Sequence, residues 1–132
     1  MSRENVEVVR RGFEAFNRRD QEAFLALCTP DVEFRSYLDA VDAQLEQGHA
    51  GMRAWWDRVL SVFPDWELRP GKMRYSDDHV VLELLQTGSA SQSGVPIEST
   101  LWMAVTLDSG QVTWWATFRT EQEALEAVGL RE

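Results

Sequence analysis

The chain has 132 residues, of which 44% are hydrophobic and 11% aromatic. This length is typical of one compact domain, so we expect residues 1–132 to form a single domain. A formal net charge of −9 would repel a phosphate backbone, which excludes nucleic acid as the expected partner. No stretch approaches the roughly 20 apolar residues of a membrane span, and the N-terminus has no apolar signal segment. We therefore predict a cytoplasmic protein with no membrane partner.

Cysteine and glycine usage narrows the range of cofactors. The single cysteine, Cys28, excludes an intrachain disulfide, and we interpret it as a small core residue. A structural zinc site needs about four ligands, and His79 beside Asp77 and Asp78 has no further ligand near it in the sequence. The glycines form neither a G-x-G-x-x-G motif nor a phosphate-binding loop. The sequence therefore predicts no metal and no cofactor.

The N-terminal half predicts three helices and one strand. Apolar residues with the 3.6-residue period of an amphipathic helix are Val6, Val9, Phe13 and Phe16. Asp20 is a good N-cap for a short second helix that ends before Pro30. Alternation over residues 32–37 predicts a strand, and residues 38–51 read as an irregular loop and candidate lid. The apolar stripe of a third helix, ending before Pro64, consists of Met52, Trp56, Val59 and Phe63.

The C-terminal half predicts four strands and a closing helix. The strands cover residues 66–75, 79–87, 96–107 and 111–120, and turn-forming residues separate them. The last two strands form a tight hairpin. The helix covers residues 121–128, with Thr120 and Glu123 spaced as a capping box and Gly129 as a left-handed C-terminal cap.

This order of elements predicts an α+β domain. Three helices from the N-terminal half cover one face of a curved, mostly antiparallel sheet. Because helices laid across a curved sheet leave space beneath them, we expect an internal pocket between the two layers.

Six segments of the chain carry a resemblance to a known family. They are residues 13–24 (FEAFNRRDQEAF), 30–34 (PDVEF), 51–56 (GMRAWW), 63–65 (FPD), 108–112 (DSGQV) and 123–127 (EALEA). In order and spacing they resemble the SnoaL-like branch of the nuclear transport factor 2-like superfamily. The resemblance implies a cone-shaped, cystatin-like roll with an internal pocket. It leaves the activity open, because the superfamily contains isomerases, polyketide cyclases, hydrolases and association domains.

The catalytic positions that the resemblance implies hold residues that are not acidic. Ketosteroid isomerases have a carboxylate base where this chain has Ser36, and their oxyanion donors fall at Gly12 and about Met103. SnoaL-like cyclases carry an acid/base aspartate after the last strand, where this chain has residues 118–120 (FRT). The resemblance therefore disfavours each of these chemistries.

Three other side chains are candidates for acid/base catalysis. Asp39 and Asp42 could act from the lid if burial raised the pKa of either carboxyl. His49, at the start of the third helix, is the type of side chain that titrates near neutral pH. A solvated surface position is the competing interpretation for all three.

The expected pocket has aromatic walls and few polar groups. We expect Phe34, Trp56, Met103 and Trp115 to line it, with Ser36, Gln86 and Thr117 as polar contacts. The stripe on the third helix selects Trp56 over Trp55, and the resemblance to the isomerases turns Trp115 and Thr117 inward. This lining suits a small, flat and mostly apolar molecule, aromatic or polycyclic, and does not suit a phosphate or a sugar. The competing interpretation is that these aromatics are ordinary core.

The last hairpin suggests a second partner. Trp102, Ala104 and Thr106 share a sheet face that we expect no helix to cover, which predicts a homodimer through this face. The resemblance also implies dimers through this side of the sheet.

Three functions remain open: a pocket protein for an apolar metabolite; an enzyme of the cyclase, ketosteroid-isomerase or hydrolase type that uses a loop Asp or His; and a non-catalytic dimerisation module.

Overall fold

A computed structural model describes residues 2–36 and 45–130. Its helices are α1 (Ser2–Asn17), α2 (Gln21–Ala26), α3 (Gly48–Val62) and α4 (Glu121–Ala127). Its strands are β1 (Cys28–Arg35), β2 (Glu46–Gln47), β3 (Glu67–Ser76), β4 (His79–Ser89), β5 (Pro96–Asp108) and β6 (Gln111–Phe118). None of the described helices combines the length and the apolar character that crossing a membrane would require.

The strands form one sheet in the order β2-β1-β6-β5-β4-β3. All neighbouring pairs are antiparallel except β1 and β6, which run parallel with Phe34 opposite Trp115. Register shifts interrupt β3 after Pro70 and the hairpin after Thr106, and such bulges bend strands. The predicted α+β class with a mostly antiparallel sheet is confirmed.

The two faces of the sheet carry cores of different size. Helices α1, α2 and α3 lie on the face that presents Leu82, Leu84 and Trp115, and together they form the main core. Helix α4 packs on the opposite face, against β4, β5 and β6, where Ala104 is fully buried. The expectation that no helix covers this face is therefore wrong. Trp102 is only half-buried there, because the seven-residue α4 covers just part of the face.

Two boundaries differ from the sequence prediction because of pairing with distant segments. Cys28 belongs to β1, not to the second helix, since the backbone N–H of Val112 bonds to the carbonyl of Leu27 (2.8 Å) and β6 recruits the residues that follow. Pro30 consequently lies inside β1, and α2 ends earlier, at Ala26. The end of the predicted loop forms β2 and the first turn of α3, which begins at Gly48.

The predicted caps are confirmed. The carboxylate of Asp20 accepts a hydrogen bond from the backbone N–H of Ala23 (3.1 Å), so it caps α2. The hydroxyl of Thr120 accepts from the N–H of Glu123 (3.2 Å) at the start of α4. Gly129 follows α4 with a φ of 73°, the left-handed conformation expected after a helix.

Asn17 and Arg19 tie the end of α1 to the segment that leads into β3. The Asn17 amide donates to the carbonyl of Leu68 (2.8 Å) and accepts from its N–H (2.9 Å), as a neighbouring strand would. Arg19 has a φ of 63°, and its guanidinium donates to the carbonyls of Pro64 (3.0 Å) and Trp66 (2.7 Å). These bonds offset the cost of a left-handed backbone at a residue other than glycine. They hold α1 at a defined height over the sheet.

Candidate functional site

Two neighbouring cavities lie between the sheet and helices α1, α2 and α3. The first has a volume of about 50 Å³ and the second about 30 Å³, so each has room for only a few water molecules. Both are bordered by Phe13, Phe24, Met103 and Trp115. The first is also bordered by Val8, Val9, Gly12, Leu27, Cys28, Val105 and Val112, and the second by Ser36, Trp55, Leu68, Leu84, Gln86 and Thr117.

The side chains that border both cavities form the partition between them. Met103 is unbranched and adapts its shape easily, and both Met103 and Phe24 are only half-buried. Phe13 and Trp115 are buried, so Met103 and Phe24 are the members of this shared lining with the most freedom to change rotamer. The two voids are therefore best treated as one candidate site with a movable partition.

An aromatic cluster supports the wall beside the partition. The ring of Trp115 stacks on Phe34 with centroids 5.0 Å apart, and Trp55 meets Trp115 edge-on at 5.4 Å. Phe34 is fully buried behind Trp115 and borders neither cavity. It holds the wall in place, whereas the sequence pattern predicts that it is part of the wall.

The structure corrects the choice between the adjacent tryptophans of α3. Trp55 borders the second cavity, whereas Trp56 borders neither and packs against Phe16 (4.9 Å) and Phe24 (5.2 Å). The apolar stripe of the third helix predicts the wrong tryptophan, because this type of prediction holds for a helix that is buried on one side only. Helix α3 packs on the sheet and also on α2, so both tryptophans are buried.

The remaining expected ligand contacts come together at the second cavity. Ser36, Gln86, Met103, Trp115 and Thr117 all border it. They arrive from four different segments of the chain, so only the fold places them side by side. Their role in binding a ligand stays a prediction.

Three buried N–H groups around the second cavity have no hydrogen-bond partner among the described residues. They are Nε1 of Trp55, Nε1 of Trp115 and Nε2 of Gln86. The Gln86 side-chain oxygen does have a partner, because the Ser99 hydroxyl donates to it at 3.3 Å. Burying a polar group without a partner costs on the order of 1–3 kcal/mol. The surface of the second cavity is therefore apolar, and three of the residues that border it hold unsatisfied donors.

The candidate acid/base residues do not reach these cavities in the part of the chain that the structure describes. Asp39 and Asp42 lie outside the described residues. His49 lies in the first turn of α3, where its Nε2 is 3.1 Å from the carbonyl oxygen of Cys28, and it borders neither cavity. The two linings as described contain no Asp, Glu or His. Their one titratable group is the thiol of Cys28, and burial raises its pKa to about 12.

A larger groove on the surface is a weaker candidate. It has a volume of about 610 Å³ and is bordered by ends of β3, β4 and β5 and by Asp65. Two of its charged groups pair with each other, since Arg69 lies 3.4 Å from Glu67. The N–H of Ser89 donates to Asp65 at 2.7 Å, and this bond lowers the pKa of that carboxyl. Among the described residues, no group of three or more His, Cys, Asp or Glu side chains could hold a metal ion.

A curved sheet and three helices that enclose an apolar interior define a class of α+β rolls with internal pockets. Within this class, residues 9–122 match the family model for the SnoaL-like domain. The chain therefore belongs to the SnoaL-like domain family, as the six segments indicated. No curated protein matches the chain.

Solved structures share this fold at low sequence identity. A nuclear transport factor 2-like protein of unknown function from Burkholderia pseudomallei K96243 matches with a TM-score of 0.79 and 21% identity, covering 93% of this chain and 95% of its own. A candidate SnoaL-like polyketide cyclase from Jannaschia sp. CCS1 matches with a TM-score of 0.79 and 20% identity, covering 100% and 96%. TerC, co-crystallised with polyporic acid, matches with a TM-score of 0.78 and 22% identity, covering 96% and 98%. At these identities the likeness shows the fold alone.

Several residues at the cavities were not singled out as site residues from the sequence. Phe13 and Phe24 read as ordinary core of α1 and α2, and Leu68 as an apolar strand residue. The missing information is long-range, because helical periodicity identifies a buried face but not the void that this face borders. For Trp55, the pair of adjacent tryptophans on one helix was the available signal.

Proposed function

We propose that the protein binds a small, mostly apolar organic molecule in the space between the sheet and helices α1, α2 and α3. The observation that carries the proposal is the pair of apolar cavities separated by side chains that can move. A molecule larger than either cavity would occupy both after displacing Met103 and Phe24. Burial of its apolar surface supplies the driving force, at roughly 25 cal/mol per Å².

The charge of the site and of the chain supports an uncharged, apolar ligand. The described linings contain no Lys or Arg, and the net charge is −9, so a phosphate or a carboxylate would be poorly stabilised. The aromatic walls of Trp55 and Trp115 favour a flat ring system. Two neighbouring folds support an organic ligand rather than a phosphate or a sugar, since TerC was crystallised with polyporic acid and the Jannaschia protein is a candidate polyketide cyclase.

The described lining supports binding better than acid/base catalysis. A general base must lie within hydrogen-bond reach of the proton that it removes. His49 is held at the Cys28 carbonyl instead, and the thiol of Cys28 stays protonated at neutral pH. The chemistry of the described site is therefore that of a binding pocket.

A ligand screen with one pair of variants tests the proposal. Thermal unfolding is followed with a panel of aromatic compounds that includes indane, 1-indanone and polyporic acid. A ligand at a hundred times its Kd should stabilise the fold by about 2.7 kcal/mol. Trp115→Ala should weaken binding by about 1–3 kcal/mol, because the ligand loses contact with a large aromatic wall.

The neighbouring residue of the same strand provides the matched control. Trp114 points to the opposite face of β6, so Trp114→Ala should leave the ligand affinity unchanged. No stabilisation by any compound of the panel would overturn the proposal. A Trp115→Ala protein that loses 3 kcal/mol or more of stability, roughly the cost of a full core truncation, while binding ligand normally would show that Trp115 is structural.

A further inference from the structure

The unsatisfied donors of the second cavity are deeply buried. Trp55 and Gln86 are each 1% exposed and Trp115 is 5% exposed, so water outside the protein cannot satisfy their N–H groups. All three side chains border the same cavity of about 30 Å³. A fourth buried N–H without a partner, Nε1 of Trp66, borders neither cavity. The folded protein thus carries a desolvation cost concentrated at one place.

The chemistry of these N–H groups defines which kind of hydrogen-bond partner they require. An indole N–H can donate a hydrogen bond and cannot accept one. The Ser99 hydroxyl donates to the side-chain oxygen of Gln86, whereas Nε2 of the same amide has no partner among the described residues. The required partner is therefore a hydrogen-bond acceptor.

The acceptor must also be neutral. The described lining of the second cavity holds no cationic side chain, and a buried anion without a counter-charge is strongly disfavoured. A carbonyl oxygen on an apolar ring system meets both requirements, because its two lone pairs accept while it carries no charge.

We infer that Trp55, Gln86 and Trp115 are specificity-determining residues, whose N–H groups select apolar ligands with a neutral acceptor oxygen over the corresponding hydrocarbons and carboxylates. This inference rests on the proposed function, and it adds the group on the ligand that the protein recognises. A ketone oxygen accepts a hydrogen bond from such a donor, whereas a hydrocarbon cannot. Removal of the donor should therefore weaken the binding of the ketone and leave the binding of the hydrocarbon unchanged.

The test compares 1-indanone, indane and indane-1-carboxylate by calorimetry in the wild type and in Gln86→Met. Methionine keeps the length of the side chain and removes the donor. We expect the Kd of 1-indanone to rise about tenfold, equivalent to about 1.4 kcal/mol, while that of indane changes less than about twofold. The carboxylate should not bind to either protein. Trp55→Phe and Trp115→Phe undergo the same comparison.

The matched control is Ser99→Ala. It removes the same Ser99–Gln86 hydrogen bond that Gln86→Met removes, but leaves the Gln86 donor in place. It should therefore keep the wild-type ratio between the ketone and hydrocarbon affinities. Isotope-edited infrared spectra of bound 1-indanone give a direct readout, since the carbonyl stretch should lie at lower frequency in the wild type than in Gln86→Met.

The outcomes separate the inference from the proposed function. Equal losses of ketone and hydrocarbon affinity in all three donor variants, tight binding of the carboxylate, or a carbonyl stretch that never shifts would overturn the inference while the pocket stands. Failure of 1-indanone to bind while other compounds of the panel bind would also overturn it. The proposed function fails only if indane, polyporic acid and the rest of the panel fail as well.

Discussion

The Cys28 thiol shows how one buried side chain links the fold to pH. Cys28 is 5% exposed where α2 gives way to β1, and its sulfur lies 3.8 Å from the carbonyl oxygen of Phe24. Burial disfavours the thiolate and raises the pKa of the thiol to about 12 from the ordinary value of 9.0. The folded state therefore binds this proton more tightly than the unfolded state does.

The raised pKa predicts a loss of stability in alkali. The contribution of Cys28 is complete below pH 9, where both states hold the proton, and it falls as pH rises from 9 toward 12. Between pH 8 and pH 10 the wild type should lose about 1 kcal/mol more unfolding free energy than Cys28→Ala does. Urea denaturation at the two pH values measures the difference, and an identical pH dependence in the two proteins would contradict the burial of the thiol.

Helix α2 shows how a marginal element is held in place. Six residues are too few for an independently stable helix, so its ends and neighbours must support it. Asp20 caps its N-terminus, and Arg53 of α3 donates to Gln21 (2.9 Å) and approaches Glu22 (2.9 Å). The exposed ion pair with Glu22 contributes little, so the cap is the main local stabiliser. The helix matters for the site because it carries Phe24 to the partition between the cavities.

Removal of the cap should destabilise the protein measurably. Asp20→Ala should lower the unfolding free energy by about 1 kcal/mol, because one N–H of the first turn loses its partner. Asp20→Asn keeps the capping oxygen and should lose less than half as much. Asp31→Ala, which removes an exposed carboxylate of β1, controls for the change in charge. A urea midpoint of Asp20→Ala equal to that of the control would rule out the cap.

The sheet face opposite the pocket carries the aromatic side chains on which the expectation of a homodimer rests. Helix α4 buries Val81, Ala104 and Ala116 on this face, with Trp102 and Trp114 half-buried beside it. Partial cover leaves large indole rings in contact with water. A second subunit on the uncovered part of the face would remove this aromatic surface from solvent.

We expect a homodimer through the face that carries Trp102. Light scattering at micromolar concentration should give a particle of about twice the chain mass of 15.2 kDa. Trp102→Lys should shift the particle to the monomer mass, because a charge would then be buried at the contact. Tyr75→Lys changes an exposed aromatic residue on the edge strand β3 and should leave the dimer intact. A wild-type particle of 15.2 kDa would overturn the expectation.

Local chemistry in the sequence determined most of the elements and the helix caps. The caps at Asp20, Thr120 and Gly129 follow from which side chains and backbone conformations suit a helix terminus. Alternation along a strand placed Trp115 and Trp114 on opposite faces. Such features depend on residues a few positions apart, so one sequence suffices to predict them. Together with the family resemblance, these local features also predicted most of the polar residues that border the second cavity.

Only the tertiary structure decided the features that depend on distant partners. Trp55 rather than Trp56 borders the cavity because α3 is buried on two sides, and Cys28 is a strand residue because β6 pairs with it. Ala104 is buried because helix α4 packs back against this face of the sheet. Most of all, the buried Nε2 of Gln86 has no hydrogen-bond partner among the described residues, and no sequence pattern records the absence of such a partner.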